Sequence, residues 1–379
     1  MFSRVRPFAT FVKVIVVLAA IDCVVRGPFF DQSIMPYHFT PFAIVRERTG
    51  GQAFSILFEG VKRLPRPDVR VAIVGDSTVF ASEKVDDLTA PAYFLGRELS
   101  RRFPGARIDV VDCSQIGLYA ADAALVINRA LQLDIDVLVY AVTLRALPSG
   151  PVARWTTHIS SELGLTDLAR LTTAGGGRWL LDTFEAPQLL DGLVYSGWAT
   201  YAYRAHLKHF VWNQALQPAL AHWPRLAEAL KPAPLYAKTA VAPPQKRPRG
   251  YAWTRDDYGF PNSNSVALEV IGRLCQRYGP GKCFIYAGPV NPLAHDGQVE
   301  PGLYEEYMER LRVMVERHGL GWYDYTNAMT PADFVKPKFG QPYDAIHLNV
   351  AGASKFADGL ASALQDQVAA VLRERHAAP

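Results

Sequence analysis

Two short motifs far apart in the chain contain residues that could together carry out acyl chemistry. Gly75-Asp76-Ser77 follows the apolar run VAIV, and Asp344 and His347 are separated by two residues near the C-terminus. A serine hydroxyl is a weak nucleophile near neutral pH, so it needs a general base, and that imidazole needs a carboxylate on its other nitrogen. Either motif alone is common in surface turns. Together they predict Ser77 as nucleophile, His347 as base and Asp344 as the orienting acid.

The elements around these motifs alternate between strands and helices. From residue 70 onward, short apolar runs alternate with longer amphipathic segments, a pattern typical of a parallel sheet covered by helices. The predicted fold is a three-layer α/β/α domain with a central five-stranded parallel sheet. The predicted strands are 71–75, 107–112, 136–142, 282–288 and 321–325, and the predicted helices are about 91–103, 119–131, 265–278, 303–318 and 351–373.

The order of these elements predicts that the two motifs meet. Ser77 lies just after the first predicted strand, and His347 lies just before the last predicted helix. Open α/β sheets bind their ligands outside the carboxyl ends of the strands. We therefore expect the three candidate residues at that edge of the sheet, with Gly75 permitting a tight exit from the strand.

This combination of motifs resembles the SGNH (GDSL-type) hydrolase superfamily. The resemblance covers most of residues 70–148 and 264–375. It implies the same triad of nucleophile, acid and base. It also implies that the oxyanion is held by the N–H group of Ser77 and by that of Gly117, which follows the second predicted strand.

The resemblance fails at one motif. The family's G-x-N-D block after the third strand would fall on Thr143-Leu144-Arg145-Ala146, so the expected oxyanion asparagine is absent. Loss of one oxyanion donor typically slows an enzyme on the order of 100-fold or more, so a substitute is needed. Arg145 is the favoured candidate and the Thr143 hydroxyl is another. The alternative interpretation is that Arg145 binds a nearby carboxylate.

A narrower resemblance is to the DltD-like branch of this superfamily. It depends on an apolar N-terminal segment, the Gly75-Asp76-Ser77 motif, the segment 288–292 (GPVNP) and the late D-x-x-H-L motif. Members of that branch work beside membrane-bound O-acyltransferases in cell-envelope acylation. The resemblance implies such a partner here, and it places Asn291 beside the pocket as a second candidate for the missing oxyanion asparagine.

The N-terminus resembles an uncleaved signal anchor. Residues 8–25 are nearly continuously apolar and follow Arg4 and Arg6, so the positive-inside rule places the N-terminus in the cytoplasm. The stretch is short for a membrane span and contains Lys13 and Asp22. A cleaved signal peptide and a soluble apolar helix are the alternatives. The anchor interpretation predicts a single-pass protein of the bacterial inner membrane, with its catalytic domain on the periplasmic side.

The domain organisation predicted from these patterns has a large insertion. We expect an anchor over 1–30, a linker over 31–69 and a catalytic domain over 70–379 that is interrupted by a mostly helical insertion at about 149–262. The insertion is rich in aromatic residues, which at helical spacing favour helix packing over sugar stacking. It also contains Lys246, Arg247 and Arg249. These residues either lie in a solvated loop or bind an anionic polymer or lipid headgroups.

Composition excludes several classes of function. The net charge of +4 comes from scattered residues without a basic, aromatic-interleaved run, so nucleic-acid binding is not predicted. The four cysteines have no zinc-ligand spacing, and neither a metal nor a cofactor is predicted. Cys275 and Cys283 flank a turn-like segment, so they are either a disulfide or two small buried residues.

The sequence therefore predicts a membrane-anchored serine O-acyltransferase or esterase. Its substrate would be a small acyl group, such as acetyl, on a cell-envelope or secreted glycan, with a glycan or glycolipid as acceptor. Hydrolysis and transfer use the same triad, so the motifs leave both open. The alternative class is a non-catalytic SGNH-like accessory subunit that binds a glycan or a membrane O-acyltransferase.

Overall fold

The structure is a computed structural model of the 379-residue chain. It describes residues 5–25, 37–39, 43–46, 54–80, 90–115, 117–147, 163–184, 186–198, 211–231, 254–259, 261–279, 281–293, 299–336, 344 and 346–377.

A mixed sheet forms the centre of the part of the chain that the structure describes. Its seven strands lie in the order β1-β2-β4-β3-β5-β6-β7, and only β1 runs antiparallel to its neighbour. The strands are β1 (Tyr37–Phe39), β2 (Ala43–Arg46), β3 (Val69–Val74), β4 (Ile108–Asp112), β5 (Val137–Val142), β6 (Cys283–Ala287) and β7 (Gly321–Asp324).

The five predicted strands are present as β3 to β7, but the predicted strand number is wrong. The parallel part of the sheet has six strands because β2 pairs with β4, and β1 adds an antiparallel seventh strand. Both extra strands lie within 31–69, the segment predicted as linker, as does the helix Phe54–Arg63. The strands of that segment contain three and four residues, too few for a clear period-2 pattern.

The central strands are apolar on both faces because helices cover both sides of the sheet. All residues of β3, β5 and β6 are buried, as expected of parallel strands between two helical layers. Two separate clusters of buried side chains result, one on each face. The helices of the α/β domain are α1 (Val5–Val24), α2 (Phe54–Arg63), α3 (Ser77–Phe80), α4 (Pro91–Arg102) and α5 (Ala120–Ala130).

The C-terminal half of the domain returns to the same alternation. Helices α4 and α14 (Val350–Ala363) pack against each other on one face of the sheet, and α5 and α12 (Ser263–Tyr278) do so on the other. This confirms the predicted α/β arrangement with helices on both sides. The later helices are α11 (Arg255–Tyr258), at the end of the insertion, and after it α12, α13 (Leu303–His318), α14 and α15 (Gln365–Ala377).

The described part of the insertion is helical. It contains α6 (Leu165–Leu171), α7 (Gly177–Thr183), α8 (Ala186–Gly197), α9 (Gln217–Ala219) and α10 (Pro224–Leu230), with π-helical turns at Thr172–Gly176 and Trp212–Leu216. Of its predicted packing aromatics, Trp179 and Trp212 are buried, whereas Trp198 and Trp223 are exposed. The basic residues at 246, 247 and 249 lie outside the described residues.

The apolar N-terminal segment forms helix α1. Within the described ranges, no helix combines the length and the apolar character that a membrane crossing requires. The signal anchor therefore stays a prediction.

Candidate active site

The fold brings the three predicted triad residues into one hydrogen-bonded chain. Ser77 Oγ lies 2.9 Å from His347 Nε2, although 270 residues separate them in sequence. On the other side of the imidazole, His347 Nδ1 lies 3.0 Å from both carboxylate oxygens of Asp344. The Nε2 atom therefore faces the hydroxyl, and Nδ1 faces the acid. This is the arrangement in which a histidine can take a proton from serine and remain oriented by a carboxylate.

The loop that carries the acid and the base is fixed by its own backbone. Asp344 Oδ1 accepts hydrogen bonds from the backbone N–H groups of Ile346, at 3.1 Å, and of His347, at 2.8 Å. Burial disfavours the charged carboxylate, but hydrogen bonds from the His347 side chain and from both backbone groups hold the pKa of Asp344 below its ordinary value. The acid is thus kept ionised beside the imidazole.

Neighbouring elements anchor both sides of this loop. Phe334 and Leu348 form an isolated antiparallel bridge, and the N–H of Val335 donates to the carbonyl of His347. Asn349 caps helix α14 by accepting from the N–H of Gly352 at 2.9 Å. The base is therefore held between a bridge and the first turn of a 14-residue helix.

Asn291 supports the acid loop from a third side. Its Nδ2 donates to the backbone carbonyl of Asp344 at 2.9 Å, and its Oδ1 accepts from the N–H of Leu293 at 3.1 Å. The side chain is buried. The prediction placed Asn291 beside the pocket as a stand-in oxyanion donor. The observed bonds instead use it to position the acid, and its oxyanion role stays a prediction.

The nucleophile sits on a tight turn between β3 and α3. Close packing at Gly75 leaves no room for a side chain, because an added Cβ would lie 2.6 Å from Val79 Cγ2 and 2.9 Å from Ala141 Cβ. Asp76 is buried and accepts from the N–H of Thr78 at 2.9 Å. These contacts fix the backbone on both sides of Ser77.

The Thr143 hydroxyl takes part in that turn. Thr143 Oγ1 donates to Asp76 Oδ2 at 2.7 Å, across 67 residues of sequence. This hydroxyl was a predicted alternative donor to the oxyanion. In the structure it joins the end of β5 to the nucleophile turn. Sequence reasoning missed the role of Asp76, although the residue lies inside the motif that identified Ser77.

Gly117, to which the resemblance assigns an oxyanion donor, lies in the loop after β4, and its oxyanion role stays a prediction. It follows β4 in a left-handed conformation with φ of +70°, which glycine adopts without strain. The same loop is tied to the nucleophile turn, because the N–H of Gln115 donates to the carbonyl of Gly75 at 2.9 Å. Among the described residues, neither the N–H of Ser77 nor that of Gly117 donates to a protein acceptor.

Arg145 lies on the 3₁₀ turn Leu144–Ala146, directly after β5. Its side chain is exposed. Within the described part of the chain it forms no ion pair, so the predicted alternative of a neighbouring carboxylate partner is not observed there. The structure therefore places a cation at the carboxyl edge of the sheet without a described protein partner.

Three buried tyrosines lie beneath the nucleophile turn. Burial raises the pKa of Tyr140, Tyr286 and Tyr307, and the Asp76 carboxylate adds to the effect. Tyr307 donates its hydroxyl to the carbonyl of Val142 at 2.8 Å. All three phenols are thus neutral, and among the described residues Tyr307 alone of the three donates to a protein acceptor, at the carboxyl end of β5.

The predicted cysteine pair is buried. Cys275 and Cys283 are free thiols. Burial raises the pKa of the Cys275 thiol, and a hydrogen bond with Cys283 adds to this effect. This corresponds to the alternative of two small buried residues. Groups of three or more His, Cys, Asp or Glu side chains suited to a metal ion do not occur among the residues the structure describes.

Comparison with known proteins gives little guidance. No protein-family model and no curated protein matches the chain. One similar solved structure is that of LAE5, an alpha/beta hydrolase enzyme from the metagenome of Lake Arreo, Spain. It is 14% identical, with a TM-score of 0.35 over 81% of this chain and 98% of that chain. A likeness this weak does not show a family, so the functional argument depends on the site itself.

Proposed function

We propose that this chain is a serine acyl-transfer enzyme that works through an acyl-enzyme on Ser77. The observation that carries the proposal is the chain of hydrogen bonds from Ser77 Oγ through His347 to Asp344. Residues from opposite ends of the domain form it, and each is held by further bonds. A scaffold without catalysis has no evident need for this arrangement.

The first half-reaction forms the acyl-enzyme. Ser77 Oγ attacks the carbonyl carbon of an acyl ester or thioester while His347 Nε2 takes the hydroxyl proton. Asp344 keeps the other ring nitrogen protonated and stabilises the imidazolium. The N–H groups of Ser77 and Gly117 hold the oxyanion, and Arg145 adds positive charge. The tetrahedral intermediate then collapses, and the leaving alcohol or thiol takes its proton from His347.

The second half-reaction transfers the acyl group. His347 removes a proton from an acceptor hydroxyl, whose oxygen attacks the acyl-enzyme carbonyl, and Ser77 leaves with that proton restored to it. A sugar hydroxyl as acceptor gives O-acylation, and water gives deacylation. We favour transfer of acetyl or a similar small acyl group to a cell-envelope glycan or glycolipid. The predicted anchor and the DltD-like resemblance support a periplasmic site beside a membrane-bound O-acyltransferase.

Acyl release from an aryl acetate by the full chain in detergent tests the proposal. Wild type is compared with Ser77→Ala, and a serine-directed fluorophosphonate probe is applied to both. Activity and labelling that disappear together in the variant are the expected result. Labelling that persists in Ser77→Ala would contradict Ser77 as the nucleophile.

Product analysis distinguishes the competing functions. Acylated glycan formed at the expense of free acid indicates a transferase, whereas free acid alone indicates an esterase. Absence of both labelling and acyl release in the folded wild type would favour the non-catalytic accessory subunit. The missing third-block asparagine is the observation that supports that second candidate.

A further inference from the structure

A cleft lies between helices α12 and α13 and the π-helical turn Thr172–Gly176 of the insertion. Its volume is about 460 Å³, which is within the range of small-molecule binding sites. All the residues that line it belong to the described part of the chain, and no triad residue is among them. The cleft is therefore distinct from the candidate active site.

The walls of the cleft contain many apolar side chains. Leu268, Val270 and Met314 are buried and form its floor, whereas Val266 is 41% exposed and lies at its mouth. Apolar surface that is left open to water gains free energy when it is covered by another apolar group. These walls therefore suit a ligand with an apolar body.

Five charged side chains also line the cleft, two acidic and three basic. Four of the five form ion pairs at 2.7 or 2.8 Å, and these pairs are Arg317–Glu269, Arg312–Glu309 and Arg310–Glu306. Both acids of the lining are thus balanced by an arginine. The fifth charged side chain, that of Arg273, has no carboxylate partner within the described ranges. The cleft therefore offers one positive charge to a ligand.

The guanidinium of Arg273 occupies a space that glycine leaves open. Its Nη1 donates a long hydrogen bond, 3.4 Å, to the carbonyl of Ala174. Gly175 adopts a left-handed conformation with φ of +79°, and a Cβ added there would overlap Arg273 Nη1. The side chain of Arg273 is exposed, and its other N–H groups have no acceptor among the described residues. A guanidinium with free N–H groups can hold a carboxylate through two parallel hydrogen bonds.

We propose that this cleft binds an organic carboxylate with an apolar body, such as a medium-chain acyl acid. The carboxylate pairs with Arg273, and the chain covers the apolar walls beside Val266 and Met314. Because the cleft is formed by both α12 and the turn at 172–176, the ligand joins the insertion to the α/β domain. The site does not depend on Ser77 being catalytic.

Isothermal titration calorimetry of octanoate into the full chain in detergent tests the proposal, with titration into detergent alone as the blank. One saturable site is expected. Octanamide has the same chain without the charge, and acetate has the charge without the chain. Each should bind more weakly than octanoate on the order of tenfold or more, because one loses the charge-assisted hydrogen bonds and the other loses the methylene groups.

Two variants test the position of the guanidinium. Arg273→Gln removes the charge and Gly175→Ala displaces the guanidinium, so each should raise the Kd for octanoate on the order of tenfold. Arg277→Gln is one matched control, since Arg277 lies one turn further along α12 and outside the cleft lining. Gly105→Ala is the other, because Gly105 is also left-handed but an added Cβ meets no atom within 4 Å. Both controls should bind octanoate as the wild type does.

Several outcomes would overturn the proposal. They are no saturable heat with the wild type, equal Kd for octanoate and octanamide, and wild-type affinity in Arg273→Gln. The comparison of the two ligands needs no variant, so it holds even where a substitution unfolds the chain. Octanoate binding that persists in Arg273→Gln but is lost after fluorophosphonate labelling of Ser77 would assign the ligand to the candidate active site and would likewise overturn it.

Discussion

Asp344→Asn is the sharpest test of the proposed triad because it changes the chemistry and little else. Asp344 Oδ1 accepts two backbone hydrogen bonds, from Ile346 at 3.1 Å and from His347 at 2.8 Å. An asparagine Oδ1 can accept both, so the loop should keep its shape. The amide nitrogen then occupies the position of Oδ2, which lies 3.0 Å from His347 Nδ1.

That exchange should invert the tautomer of the histidine. The NH₂ group at the Oδ2 position cannot accept from Nδ1–H but can donate to an unprotonated Nδ1, so we expect the proton to move to Nε2. Because Nε2 lies 2.9 Å from Ser77 Oγ, it can then no longer accept the serine proton. The same change in another serine enzyme lowers kcat by about 10⁴-fold, and we expect a loss of that order here.

The assay is kcat for an aryl acetate, with the rate of fluorophosphonate labelling as an independent measure of Ser77 reactivity. Both should fall together while the variant stays folded. Asp324→Asn is a matched control, since Asp324, the last residue of β7, accepts similar local bonds from Thr326 but has no described contact with a triad residue. A decrease of less than tenfold in kcat for Asp344→Asn would refute the role given to Asp344.

Three further results are expected. Thr143→Val removes the hydroxyl that donates to buried Asp76, so the free energy of unfolding measured with denaturant should fall by about 1.5–3 kcal/mol. Thr143→Ser keeps a hydroxyl and should retain most of the wild-type stability. Equal stability of the two variants would contradict this. Gly75→Ala places a Cβ 2.6 Å from Val79 Cγ2, so the free energy of unfolding should fall by about 1–3 kcal/mol and fluorophosphonate labelling of Ser77 should slow. Wild-type values for both would show that the turn has room for a side chain. Folding lowers the pKa of Asp344, so its contribution to stability is present above the unfolded pKa and is lost as the pH falls through the folded pKa. The unfolding free energies of wild type and Asp344→Asn, measured against pH, should therefore converge at low pH. Parallel curves would argue against the shift.

The parts of the structure that the sequence predicted well are those with strong local signals. The apolar runs of β3 and β5 are long enough to identify buried parallel strands. Ser77 and His347 could be paired because both occupy the same edge of such a sheet. Strands β1 and β2 were missed because three or four residues carry no usable period.

Side-chain partners were predicted less well than positions. Thr143 and Asn291 were both identified as residues near the site, and both lie beside it. Thr143 was predicted as an alternative to Arg145, and Asn291 as a second candidate, for a donor to the oxyanion, yet each is bonded to a protein group that positions a triad residue. The difference between facing a substrate and facing Asp76 is a rotation about one or two bonds. Sequence spacing does not encode such a rotation, because it depends on which neighbours the tertiary fold supplies.

Whether water or an acceptor hydroxyl reaches the acyl-enzyme decides between hydrolysis and transfer. The solvent exposure of the triad side chains bears on this choice. The side chains of His347 and Asp344 are each 22% exposed, so the imidazole is neither sealed from solvent nor freely hydrated. Water can therefore reach the base unless an acceptor covers it. A transferase with this site must exclude water through the bound acceptor, so its hydrolysis rate should fall as acceptor concentration rises while total acyl release is maintained or increases. An esterase has no such requirement, and its free-acid production should be indifferent to the glycan.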